Sequence, residues 1–288
     1  MESLRRVLPE LHEIHFTGGE PTHNPELAAI TAGLTALGLE VKTTTNGQFT
    51  PEDLERLMSA GLRSFNFSIH SLDPHSFLET QTGRGMAREM HEPELHAWAA
   101  EEMHGSKLRW AERQVERELA MIREAHRMGA SVKLNTVVSG ERNLSDTRKI
   151  FEWSKAEGVP LRLLNDLGAG MESVLAIRQF IRSLEAQEVL RQVTIGSSAC
   201  STVYRLPGGY ELVFKQIRDF KLESMCRNCP RAADGTCQEQ YYGIRLQKKR
   251  DGQFHVNLCL QESGPQSDMT LEQFLRSPQL REIQSYLI

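Results

Sequence analysis

The chain has 288 residues, 39% of them hydrophobic and 25% charged, with a formal net charge of −4. That length supports one large α/β domain, or a domain with a smaller appendage, and the charge balance gives no overall reason to bind nucleic acid. No apolar run approaches the roughly 20 residues that cross a membrane, and residues 1–11 lack the apolar stretch of a signal peptide, so the expectation is a cytoplasmic protein with neither a nucleic-acid nor a membrane partner.

Through residue 167, short apolar runs alternate with helical patterns. Strands are expected at 12–16, 40–44, 64–68, 131–138 and 161–165. Leu27, Ile30, Leu34 and Leu37 form a 3.6-period stripe over 25–37, closed by Gly38. Thr50-Pro51-Glu52-Asp53 carries the cap and first-turn proline of the next helix, which Gly61 ends. A long amphipathic helix is expected over 110–128, and another from Leu144-Ser145-Asp146 to Gly158. Residues 79–108, rich in His, Glu, Met and Arg, read as a solvated insertion, with a lid as the alternative. Beyond Gly168 the spacing predicts a helix over 174–190, short strands at 193–195, 203–205 and 211–214, a hairpin joining 243–247 to 254–258, and a final helix from Thr270.

Strands separated by helices favour a parallel sheet with right-handed crossovers. Function in such sheets gathers at the carboxyl ends of the strands. Five such ends are polar here: Thr17-Gly18-Gly19-Glu20, Thr45-Asn46-Gly47, residues 68–70, Asn135 and Asn165-Asp166. In the first, paired glycines let the backbone approach a ligand, Glu20 can accept hydrogen bonds from an ammonium group, and Pro21 stiffens the exit. The plain alternative is a tight turn whose Glu lies near a helix N-terminus. Trp98, Trp110 and Trp153 sit at helical positions and read as packing residues.

The cysteines are unevenly placed. Cys200 stands alone, whereas Cys226, Cys229, Cys237 and Cys259 fall in the last quarter. In a reducing compartment, a Cys-x2-Cys pair followed by further cysteines suggests metal before disulfide. Four thiolates suit either a tetrahedral zinc or an iron–sulfur cluster.

Taken together, I-H-F-T-G-G-E-P-T-H-N-P-E-L from residue 14, T-T-T-N-G from 43, F-N-F-S-I-H-S-L from 65, V-K-L-N-T-V-V from 132 and L-R-L-L-N-D from 161 resemble, in order and spacing, the radical S-adenosylmethionine superfamily. The nearest branch is the one containing the GTP 3′,8-cyclase of molybdenum-cofactor biosynthesis. The resemblance implies an α/β fold: a partial parallel (β/α)6-type TIM-like barrel lacking its first strand over 1–170, and a small C-terminal α+β cysteine-rich domain over 171–288. It implies that Gly18, Gly19 and Glu20, with Pro21 behind them, hold the methionine end of S-adenosylmethionine. Thr44, Thr45, Asn46 and Ser68 would contact its carboxylate or ribose, with Asn135 a further cofactor contact. Lys133 falls where the cyclising members bind substrate, and Arg245 aligns with another substrate-contacting arginine. Cys226, Cys229 and Cys259, with Cys237 as a fourth candidate, resemble the ligands of an auxiliary [4Fe–4S] cluster, zinc remaining the rival.

The sequence also departs from that family. No Cys-x3-Cys-x2-Cys, the loop that holds the catalytic cluster, occurs in it. A start placed too far downstream is the favoured explanation, beside a truncated copy or a binding protein without radical chemistry. His15 replaces a substrate-contacting arginine, and the Gly-Gly tail of the cyclases is missing, which argues against that exact activity. The expectation is a radical enzyme that acts on a nucleoside, sugar or peptide and is served by a donor such as flavodoxin or ferredoxin. The alternative is a non-catalytic S-adenosylmethionine- or metal-binding homologue.

Overall fold

The computed structural model describes residues 1–82, 97–261 and 264–287. Of the expected insertion or lid at 79–108, residues 83–96, with His91 and His96, lie outside the described residues, as does the side chain of Trp98, whereas 97–108 extend the helix expected over 110–128. After a short helix α1 (Glu2–Val7), strands and helices alternate: β1 (Glu13–Phe16), α2 (Leu27–Ala36), β2 (Glu40–Thr45), α3 (Pro51–Ser59), β3 (Ser64–Ser68), α4 (Pro74–Thr82), α5 (Ala97–Arg127), β4 (Ser131–Val138), α6 (Leu144–Ala156), β5 (Leu161–Asn165) and α7 (Met171–Ser183). Strands β1 to β5 pair in parallel and in sequence order. This alternating β/α architecture resembles part of a TIM-like barrel, and its five strands start and stop within one residue of the expected bounds.

Local chemistry accounts for the element ends. Thr50 accepts from Asp53 N while the Asp53 carboxylate accepts from Thr50 N, so α3 opens on a full capping box. Strand alternation sorts side chains onto two faces. Val41, Phe65, Phe67, Val132, Leu134, Leu161 and Leu163 point into one continuous core against α2, α3, α5, α6 and α7. His15, Lys42, Thr44, Asn66, Lys133 and Arg162 occupy the intervening positions and make the opposite face polar. Ile30, placed on the α2 stripe by its spacing, is instead exposed.

The helix expected over 174–190 is shorter. Its buried stripe of Ala176, Ile177, Phe180 and Ile181 ends at Ser183, and Glu185 turns the chain with φ +53. Residues beyond form β6 (Gln187–Val193), followed by β7 (Ala199–Arg205) and β8 (Glu211–Ile217). Pairing of β6 with β7 overrides the helical pattern. β8 lies parallel to β5, giving one open eight-stranded sheet in the order β1-β2-β3-β4-β5-β8-β7-β6, so the sheet continues past residue 170. Tyr210 ties this junction, since its hydroxyl meets Ser154 Oγ at 2.8 Å, Leu161 N at 3.1 Å and Val159 O at 3.0 Å.

The C-terminal stretch holds two short helices, α8 (Glu223–Cys226) and α9 (Pro230–Ala233). Strands β9 (Arg245–Lys248), β10 (Phe254–Asn257) and β11 (Asp268–Thr270) then form a small antiparallel sheet, followed by α10 (Leu271–Leu275) and α11 (Pro278–Tyr286). The hairpin and the Thr270-capped helix agree with the sequence reading. A second hydrophobic cluster, built on Leu222, Tyr241, Val256, Leu258 and Phe274, takes in Leu4 and Leu8 from the first helix. Among the described residues no helix is long and apolar enough to cross a membrane.

Candidate functional site

The parallel strands deliver their polar ends to one place. A cavity of about 480 Å³ opens at the ends of β1, β2 and β3, within the roughly 300–1,000 Å³ of small-molecule sites. Gly18, Gly19, Glu20, Thr44, Thr45, Asn46 and Ser68 line it, so seven of the nine expected cofactor residues converge. Gly18 takes φ +111, and apart from the chain neighbours no described residue has an atom within 4 Å of where a Cβ on Gly18 or Gly19 would stand. The paired glycines therefore leave open space that side chains would fill.

Glu20 behaves largely as the plain alternative expected. Its Oε1 accepts from Thr22 N at 3.2 Å, Thr22 Oγ1 at 2.7 Å and Thr45 Oγ1 at 2.7 Å, and its Oε2 accepts from Asn46 N at 2.7 Å. The carboxylate caps the turn begun by Pro21 and binds the loop after β1 to the loop after β2. Pro21 itself is not among the lining residues, nor is Asn135. Asn135 lies beside Ser68 and Arg162 in the sheet, nearly buried, with its Oδ1 unpaired.

The other face residues sit deeper along the strands. His15 Nε2 meets Thr44 Oγ1 at 2.9 Å and Asn66 Nδ2 at 3.2 Å. Desolvation, and then the Lys215 charge, holds its imidazole below the usual histidine value. Lys133, next to Asn66 in the sheet, is half-buried, and burial followed by the Arg162 and Lys42 charges lowers its ammonium. Lys42 is neutralised by Glu13 and by Glu40 at 3.1 Å.

Sequence reasoning missed several lining residues: Gln48, Phe77, Trp110, Gln114 and Glu118. Trp110, read as a packing residue, is 41% exposed and sits on the cavity wall with its ring 5.9 Å from that of Phe77. Trp153 does pack on the core, under Arg123 at 5.5 Å. Glu118 was detectable. It occupies the buried stripe Ala111, Val115, Glu118, Ile122 and Ala125 of α5, where an acid interrupts an otherwise apolar face.

A second cavity, of about 250 Å³, is lined by all four C-terminal cysteines, Cys226, Cys229, Cys237 and Cys259. Burial, with the neighbouring thiols adding to it, pushes the Cys226 thiol up to about 11. Among the described residues no three His, Cys, Asp or Glu side chains converge as a site for a metal ion. Buried Glu239 organises the loop beside Cys259: it accepts from Leu260 N at 2.7 Å and Gln261 N at 3.3 Å, and lies 3.7 Å from Cys259 Sγ. Arg245 pairs with Glu239 rather than projecting freely, and its guanidinium lies 6.0 Å from the Tyr242 ring.

Comparison with known proteins gives the following. The sequence profile described as the Radical SAM superfamily matches residues 1–154. A probable GTP 3′,8-cyclase of Metallosphaera sedula is 26% identical over 225 residues, which are 76% of this chain and 61% of that protein. The GTP 3′,8-cyclase of Tolumonas auensis is 25% identical over 285 residues, 93% of this chain and 71% of that one. Among solved structures, Streptococcus suis SuiB bound to S-adenosylmethionine matches with a TM-score of 0.42 and 14% identity, covering 65% of this chain and 39% of that one.

Proposed function

The chain belongs to the radical SAM superfamily, and from that premise we propose that the cavity at the ends of β1, β2 and β3 binds S-adenosylmethionine. One observation carries this reading: seven residues from three separate strand ends, expected from sequence to hold that cofactor, line a single cavity of suitable size. The open space over Gly18 and Gly19 gives the methionine end room, and donors such as Thr44 and Ser68 suit its carboxylate or ribose. The proposed role of these 288 residues is binding, because they contain no Cys-x3-Cys-x2-Cys to hold the cluster that cleaves the cofactor.

Calorimetric titration of the purified chain with S-adenosylmethionine tests this. Gly19→Val adds a Cβ that, apart from the chain neighbours, has no described residue within 4 Å, so it should keep the fold and weaken binding at least about tenfold, a loss of ~1.4 kcal/mol. A parent chain that does not bind, or a Gly19→Val chain that binds as well, overturns the assignment.

A second reading is favoured by the cysteine-lined cavity. All four C-terminal cysteines line that one cavity, and four thiolates suit either a zinc ion or an iron–sulfur cluster. In this reading Cys226, Cys229 and Cys259, with Cys237 as a fourth candidate, would hold a [4Fe–4S] cluster, zinc being the rival. Such a cluster supplies one-electron transfer or, with an open iron, a place for substrate. Beside it, Glu239 fixes the Cys259 loop and Arg245 fixes Glu239, while Lys133 and Arg162, on neighbouring strands of the parallel sheet, would offer positive charge to an anionic group on a substrate. In this reading the chain is part of a radical enzyme acting on a nucleoside, sugar or peptide. About four irons per chain after anaerobic reconstitution, lost in Cys226→Ala, supports it, and one tightly held zinc without iron removes it.

A further inference from the structure

The cavity assigned to S-adenosylmethionine contains two carboxylates in different circumstances. Glu20 is committed to the protein, with Thr22, Thr45 and Asn46 supplying four hydrogen bonds to it. Glu118 is not. It is 3% exposed, lines the same cavity, and its Oε1 has no hydrogen-bond partner among the described residues. Its place is fixed by tertiary packing, since its Cα and Cγ stand 3.4 and 3.3 Å from where a Cβ on Gly47 would lie. Burial, and then the Glu20 charge, raises its carboxyl well above the usual range. Buried polar groups in native proteins are paired, and an acid on an apolar helix stripe is costly unless something meets it. Among the described residues nothing meets this oxygen, and the cavity is where a partner can stand.

We propose that Glu118 is the charge-selecting residue of this cavity, pairing with the sulfonium centre of S-adenosylmethionine and so favouring it over S-adenosylhomocysteine, which shares the ammonium group but whose sulfur is uncharged. The inference rests on the S-adenosylmethionine reading. With the cationic ligand in place, a carboxylate at Glu118 faces positive charge in a poorly solvated site, where attraction is far stronger than in water. Burial favours the protonated form of Glu118 in the cavity without ligand, so binding of the cation should drive a proton to solvent. The uncharged thioether gives the carboxylate less to pair with, and the proton stays. Glu20 and His70 are the other titratable groups lining the cavity.

The test is the affinity of the full chain for both ligands, by calorimetry, in the parent and in Glu118→Gln. The parent should prefer S-adenosylmethionine by about tenfold or more, as one charge-assisted contact provides. Glu118→Gln should erase that preference and leave the S-adenosylhomocysteine affinity within about twofold, which also shows that the cavity is intact. Independently of any variant, the binding heat of the parent should depend on buffer ionisation for S-adenosylmethionine and not for S-adenosylhomocysteine. A preference that survives Glu118→Gln, a parent without preference, or equal proton release with both ligands overturns the role of Glu118. A parent that binds neither ligand overturns the cofactor reading itself.

Discussion

Replacing Gly47 probes how the cavity is held together, because it stands where α5 presses on the loop after β2. Its φ is +72, and an added Cβ would meet Glu118 Cγ and Phe67 Cδ1 at 3.3 Å and Glu118 Cα at 3.4 Å. Gly38 is the natural control: φ is +76, and nothing lies within 4 Å. An alanine at positive φ costs about 1–2 kcal/mol, partly offset by the ~0.4–1 kcal/mol gained from a less free unfolded chain. Gly38→Ala should therefore destabilise by no more than roughly 1.5 kcal/mol. Gly47→Ala bears the same backbone strain plus overpacking against a helix backbone, typically about 1–3 kcal/mol. The two variants should differ by that amount, seen as a gap of several degrees at about 2–4 °C per kcal/mol for a chain of this class. Thermal and urea midpoints measure it, and titration with S-adenosylmethionine should show Gly47→Ala, not Gly38→Ala, weakening the ligand as α5 shifts. Equal midpoints and equal affinities for the two variants would refute the contact between α5 and the cavity loop.

Stability should also report the burial of Glu118. A carboxyl raised in the fold keeps its proton after the unfolded chain has lost its own, so its contribution declines as pH rises past the ordinary glutamate range. Glu118→Gln should gain on the parent in melting temperature between pH 5 and pH 8, and a pH-independent difference would contradict the burial. Tyr210→Phe leaves Leu161 N and Val159 O short of a buried partner and should cost about 1–3 kcal/mol; a urea midpoint within error of the parent would show that the hydroxyl bridge is dispensable. Arg245→Met strands the Glu239 carboxylate, 5% exposed, in the second cluster and should cost about 3 kcal/mol. Adding Glu239→Gln should recover part of that loss, and strictly additive effects in the double-variant cycle would mean that the pair is not coupled.

What could be read in the sequence was what short-range physics dictates. Strands β3, β4 and β5 were bounded correctly because apolar residues alternate through them and a Gly or a cap closes each helix between. The glycine pair after β1 identified a cavity wall because few other residues leave a backbone so open. Thr50 and Thr270 announced their helices through caps that act within three residues. Where a segment's fate depended on a distant partner, local pattern failed. Residues 187–190 continue a helical spacing but become strand because β7 offers them a ladder. β8 reaches β5 ahead of β6 and β7, an order set by pairing across the whole sheet and invisible in chain order. Glu118 carried a local sign, an acid on a buried stripe, yet which cavity it faces was decided only when α5 settled over Gly47. The four cysteines likewise advertised metal chemistry by spacing, while their arrangement around a space was fixed by how two short helices and the loop held by Glu239 pack together. Sequence determines elements through interactions a few residues long; sites assembled from several elements form only when burial of their apolar faces brings those elements into contact.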